Sequence, residues 1–344
     1  MTLASNQFCP RVLRRFIEDR VNRVVFGVLI GNFAYALIAL SALGQDSKPP
    51  GLTLAGCFLF DLTSTALFIY FIHHTASSLQ VDAIVLELRE ETIRQIELLK
   101  SDPKRCLGPA GSGPHWTDGL CAQNKIGYVQ GVRIDKLLEI SKQLDRPLHL
   151  CAGLGDFVTR GTPCVERFHP EPDQQTSRQI AECFEVDYSR LLEHDISYGF
   201  REVVDIALKA ISPAINDPTT AVMCLHNLTA MFEALARDGW PRRSVVGEQQ
   251  KGSVSMPCNG PEDYLNLITD QLCYHAMGSP RVAEALLEFL ARVRPLLKSA
   301  DWTLRVDCKA RQLIEDAEKA WESPVWRQRL QWRDRQSEIP ATRV

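Results

Sequence analysis

The sequence predicts a mainly α membrane protein: a transmembrane helical hairpin, a small β-containing unit and a C-terminal α-helical domain. Three observations lead there. The apolar excess lies before residue 75, short β-type runs are confined to residues 126–170, and amphipathic helical spacing fills residues 171–320. A chain of 344 residues is long enough for a membrane hairpin and two compact soluble units.

The hairpin, residues 24–72, is read from two runs of spanning length. Val24 to Leu43 is twenty residues without a charge. At about 1.5 Å per residue it crosses a hydrocarbon core of roughly 30 Å. Leu52 to Ile72 is a second run, broken by one charge, Asp61. The link GQDSKPPG is short and turn-rich, which makes the pair antiparallel. Two buried core helices are the competing reading, and length and scarcity of charge count against it.

Residues 1–23 form a basic juxtamembrane segment. Val12, Leu13, Phe16 and Ile17 lie against Arg11, Arg14, Arg15 and Arg20, so the stretch either rests on the inner membrane surface or forms the first turns of a longer helix. Met1 to Pro10 has no basic region followed by an apolar one, so it does not read as a signal peptide. Five arginines precede the first span, Arg23 being the fifth, and the link offers only Lys48. The positive-inside rule therefore expects the N-terminus, and everything after residue 73, in the cytoplasm.

Asp61 is the residue of most interest in the spans. A carboxylate near mid-bilayer costs about 2.5–3.5 kcal/mol on insertion scales, so it is expected to face protein or water. Tyr35 falls at the same depth, and Asn32 one turn nearer the cytoplasm. Two readings stand: a hydrogen bond from Tyr35 that only satisfies the carboxylate, or a proton or ion path. Gly27, Gly31 and Ala34 are small residues that allow a second copy to approach closely.

After the hairpin, residues 73–100 read as a helical stalk continuing the second span, and residues 101–125 as a Gly- and Pro-rich linker. Residues 126–170 read as the small β-rich unit. Its strands are Gly127 to Val132, Pro147 to Cys151, Phe157-Val158 and Pro163 to Phe168, with a helix over Ile134 to Leu144. The pattern G-D-F-V-x-x-G-T-P resembles the hairpins of lipoyl-like domains, but no lysine stands at the tip, so no lipoylation is expected and an ordinary β-unit is the better reading. Residues 171–320 read as a helical cytoplasmic domain, its first helix running on from Asp187 and a polar loop over Trp240 to Gly260. Residues 321–344 form a basic tail.

Composition excludes several classes. A net charge of −3 with 24% charged residues does not suit a nucleic-acid binder. The 11 cysteines form no C-x-x-C pair and the eight histidines no H-x-x-x-H pattern, so neither metal nor cofactor is expected. Most of the thiols are expected to be small buried residues in a reducing compartment. No P-loop, dinucleotide fingerprint or nucleophile–base motif is present.

The polar candidates in the helical domain are Arg201, Asp205, Asn216, Asp217 and Thr219. Arg201, Asp205 and Lys209 form an i, i+4, i+8 stripe, a pattern more often a solvated row of ion pairs than a site. Asp217 followed by Pro218 reads as a helix N-cap with proline at the first helical position.

Four stretches resemble a known family. They are S-N-Q-F-C-P-R-V-L-R-R-F (Ser5 to Phe16), Y-F-I-H-H (Tyr70 to His74), G-D-F-V-x-x-G-T-P (Gly155 to Pro163) and D-I-A-L-K-A-I-S-P-A-I-N-D-P-T-T-A (Asp205 to Ala221). In this order they resemble a bacterial family of predicted inner-membrane proteins catalogued as domain of unknown function 2254. The resemblance implies two further N-terminal spans in family members, so this chain is expected to be a truncated or mis-started form. It also implies the bacterial inner membrane, with the soluble part cytoplasmic. It implies no chemistry.

Three functions compete on the sequence. One is a non-enzymatic channel, transporter or sensor-type assembly, expected as a homo-oligomer in the lipid bilayer, with a cytoplasmic regulatory domain and an unidentified ion or small-molecule ligand. Another is a membrane-anchored enzyme with a site around Arg201, Asp205, Asn216 and Asp217. The third is a structural scaffold.

Overall fold

The computed structural model describes residues 20–41, 51–78, 80–101, 119–121, 123–192, 195–238, 240, 244–246, 252–297 and 299–321. Most of the juxtamembrane segment, the hairpin link, most of the Gly- and Pro-rich linker and the basic tail lie outside the described residues. The chain divides into two compact units, Met1–Ile84 and Val85–Val344.

In the first unit, α1 (Arg20–Ser41) and α2 (Gly51–Ser78) are long and apolar enough to cross a bilayer. Their side chains are largely exposed, as expected of helices whose solvent is lipid rather than a protein core. The expected continuous stalk is corrected here. α2 ends at Ser78, Gln80 is not helical, and α3 (Val81–Ser101) starts afresh.

The second unit is mostly helical. Its β part holds β1 (Gly119–Leu120), β2 (Gly127–Val132), α4 (Ile134–Leu144), β3 (Leu148–His149), β4 (Phe157–Val158), β5 (Val165–Glu166), α5 (Gln174–Glu182) and β6 (Phe184–Asp187). β2 is the central strand of a β4-β2-β6 sheet, antiparallel to both neighbours, with Tyr128 opposite Phe157 and Asp187. β1 pairs with β5. Leu137, Leu148, Val165, Ile180 and Phe184 are buried in one core between α4, α5 and these strands.

The helical part holds α6 (Ile196–Ala210), α7 (Pro218–Asp238), α8 (Pro261–Ala276), α9 (Pro280–Val293) and α10 (Ala300–Ala320). Phe200, Val203, Val204 and Ala207 of α6, and Leu225, Leu228, Phe232 and Leu235 of α7, recur at steps of three and four and are fully buried. Phe232 meets Phe289 of α9 edge-on at 5.8 Å. The starts are set by local chemistry: Pro218, Pro261 and Pro280 each open a helix, where the missing proline N–H has no partner to lose.

Three sequence expectations change. β6 lies in the stretch assigned to the helical domain, and the helix expected from Asp187 begins at Ile196, leaving a loop that carries Arg190. β7 (Ser244–Val246) and β8 (Ser253–Ser255) lie in the expected polar loop, and β8 pairs in parallel with β3. β1 lies at the end of the expected linker. These strands have two to four residues, too few for alternation to register as a pattern.

Candidate functional site

The α1–α2 groove contains the polar residues expected in the spans. Antiparallel packing sets Phe26 against Phe71 at 5.4 Å and Tyr35 against Phe60 at 5.1 Å. Between these contacts, Asn32 Nδ2 donates to Asp61 Oδ1 at 2.9 Å. The partner of Asp61 is thus Asn32 and not Tyr35. The Tyr35 hydroxyl lies instead beside Gly56, where an added Cβ would sit 2.7 Å away. Asp61 itself is exposed on the hairpin surface.

The hydroxyls after Asp61 divide in two ways. Thr63 Oγ1 donates to Leu59 O, and Thr65 Oγ1 to Asp61 O, each at 2.8 Å, the back-bonding that such residues use within helices. Ser64 differs: it is only 6% exposed, and its Oγ has no hydrogen-bond partner among the described residues. Asn32 Oδ1 is also buried without one. Among the described residues, Gly27 and Gly31 have nothing within 4 Å of an added Cβ, so their side of α1 is open there.

The α6–α7 corner holds the second set of candidates. Asn216 adopts a left-handed φ of 49° that turns the chain. Asp217 then caps α7: Oδ1 accepts from Thr219 N and Thr220 N at 3.1 Å, and Oδ2 from Thr220 Oγ1 at 2.6 Å. The Thr220 hydroxyl, chiefly, holds the Asp217 carboxyl below its ordinary value. Arg201 and Asp205 lie further back on α6. Arg201 stands nine positions before Ala210, roughly 13 Å along the axis at about 1.5 Å per residue. Along the axis of α6, Arg201 is therefore displaced from the end of the helix that meets Asp217.

A third cluster escaped the sequence reading. Arg190 Nε donates to Asp195 Oδ2 at 2.8 Å, and Asp195 Oδ1 caps α6 by accepting from Tyr198 N at 3.1 Å. Asp156 accepts from Gly153 N at 2.8 Å and lies within electrostatic reach of Arg190 and Asp195. Burial raises both carboxyls, with Arg190 working against it. Nearby, Ser197 Oγ lies 3.3 Å from the hydroxyl of the fully buried Tyr264 and accepts from Asn259 Nδ2 at 2.6 Å. The available signal was an acidic residue three positions before a tyrosine at a helix start.

The thiols are less scattered in space than in sequence. Cys121, Cys151, Cys164 and Cys183 gather in the β part, where Cys151 N donates to Cys164 O at 2.9 Å. Burial pushes the Cys164 thiol up to about 12 and that of Cys151 to about 11, which suppresses the reactive thiolate. Among the described residues no group of three or more His, Cys, Asp or Glu could hold a metal ion.

Comparison with known proteins places this architecture. The sequence profile of a family described as "Predicted membrane protein (DUF2254)" matches residues 1–292. The chain belongs to the DUF2254 family. Uncharacterized proteins of Mycobacterium bovis and Mycobacterium tuberculosis are each 31% identical to it over 308 residues, covering 85% of this chain and 58% of their own. The chain thus spans somewhat more than half the length of these relatives. No solved structure matches it.

Proposed function

We propose that this DUF2254 protein is a non-enzymatic subunit of a membrane assembly of channel, transporter or sensor type. It is built from copies of itself in the bacterial plasma membrane, with a cytoplasmic regulatory part formed by the second unit. One observation carries this reading. Asp61 is exposed on the surface of a spanning hairpin, and Asn32 is the only side chain among the described residues that donates to its carboxylate. In hydrocarbon such a carboxylate must meet a further polar group, a counter-ion or water. The open side of α1 at Gly27 and Gly31 allows the close approach that a second copy needs. An enzymatic site around Arg201, Asp205, Asn216 and Asp217 has less support, because Asp217 is engaged as a cap.

The test is the mass of the full chain in mild detergent, for the native protein and for Asp61→Leu, together with ion flux through reconstituted vesicles. Oligomers that carry a flux altered by Asp61→Leu support the proposal. A monomer at micromolar concentration overturns it. Oligomers without any flux would favour a scaffold.

A further inference from the structure

We infer, building on the assembly reading above, that Asn32, Asp61 and Ser64 form a binding site for a small monovalent cation, sodium, in the α1–α2 groove. Three side-chain oxygens are candidate ligands. Asp61 presents a carboxylate with one oxygen engaged by the Asn32 amide. Ser64 follows it by three positions, on the same side of α2, and is buried in a helix whose neighbouring side chains are mostly exposed. Thr63 and Thr65 return their hydroxyls to the helix backbone, but Ser64 does not. The Asn32 amide, whose nitrogen touches Asp61, keeps its buried oxygen without a hydrogen-bond partner among the described residues. The result is one anionic and two neutral oxygen ligands, with no sulfur or imidazole, a set that suits a hard cation.

Charge balance selects a monovalent ion. No lysine or arginine lies at this depth among the described residues. Among the described residues the nearest basic side chain on α1 is Arg23, nine positions before Asn32 and roughly 13 Å along the axis, and α2 carries no lysine or arginine. One carboxylate and one sodium ion sum to zero. A divalent ion would leave a positive charge in hydrocarbon, and an anion would be repelled. A proton would also neutralise Asp61, and it competes with sodium for the same carboxylate.

Dicyclohexylcarbodiimide provides the test, because it modifies a carboxyl within a bilayer only in its protonated form, which a bound cation excludes. The full chain is reconstituted in phosphatidylethanolamine–phosphatidylglycerol vesicles. Labelling of Asp61 is followed by mass spectrometry at fixed pH, in sodium chloride or in choline chloride of equal ionic strength. Sodium is expected to slow labelling roughly tenfold at about ten times its dissociation constant. Ser64→Ala is expected to label like the native chain in choline but to need more sodium for protection, and Asp61→Asn to remove the label. Equal labelling in sodium and choline overturns the site, as does protection that Ser64→Ala leaves unchanged. If sodium protection fails while Asp61-dependent oligomers persist, the cation site falls and the assembly reading stands. If the oligomers are absent, that reading falls first.

Discussion

Arg190 holds Asp195 through its Nε, 2.8 Å from Oδ2, and the pair is so closely covered that a Cβ at Gly155 would come within 3.0 Å of both partners. Gly155 also has a φ of 82°, a conformation that costs other residues energy. Gly155→Ala is therefore expected to destabilise the second unit by about 1–3 kcal/mol. Chemical denaturation of the native and variant proteins checks this, and an unchanged midpoint would show that the turn at Gly155 moves aside freely.

The buried carboxyls beside Arg190 give a pH dependence of unusual sign. Asp156 and Asp195 both have folded values raised above 3.8, chiefly by burial. Each binds its proton more tightly in the folded state than in the unfolded one. Their contribution to stability is therefore greatest below 3.8 and falls as pH rises through the folded values. Asp156→Asn keeps an acceptor for Gly153 N and removes the charge. It is expected to melt higher than the native chain at about pH 8, with the gap closing at about pH 4. A variant that melts lower at the higher pH would show that attraction to Arg190 outweighs burial.

Asp217 behaves in the opposite way. Its folded value is lowered below 3.8, so its stabilisation is present above that value and is lost as pH falls through the folded one. Asp217→Ala is expected to cost about 1 kcal/mol at neutral pH, and the loss shrinks in acid. Thermal melts at two pH values measure it, and a variant with native stability would remove the capping account.

Gly199 marks the contact between α6 and α3. A Cβ there would collide with Thr92 Oγ1 and with Leu192 Cδ1, and Thr92 is itself held by a 2.6 Å bond to Leu88 O. Gly199→Ala is expected to cost about 1–3 kcal/mol, partly recovered by Thr92→Ala. A double-mutant cycle without coupling would mean that the strain is relieved elsewhere.

Topology has its own check. Reporter fusions at residue 47 and at the C-terminus are expected on opposite sides of the membrane, the C-terminal one in the cytoplasm. The same side for both would remove one of the two spans.

The sequence revealed what is long and periodic. Twenty uncharged residues before Gly44, and the steps of three and four through Val203, Ala207, Leu225 and Phe232, give the spans and the helical core directly. Asp217 was legible because a cap is a local event between neighbours. Asn32 and Asp61 were visible as polar residues out of place. Their pairing, in preference to Tyr35, depends on the register of two helices, and composition does not carry register. Arg190 was invisible because its partners, Asp156 and Asp195, stand 34 positions before it, across three strands and a helix, and five after it.

The placement of β8 bears on how this protein can be divided. The chain leaves the β part after β6, builds α6 and α7, and then returns β8 to lie between β3 and β7 before α8 begins. Ser141 Oγ, on α4, closes that return by accepting from Ser253 N at 3.0 Å. No single cut in residues 127–255 frees a β-module with all its strands, and a fragment ending before Ser253 leaves the β3 edge bare. The two parts of the second unit are therefore expected to be inherited, expressed and unfolded together, as one cooperative block rather than as exchangeable cassettes.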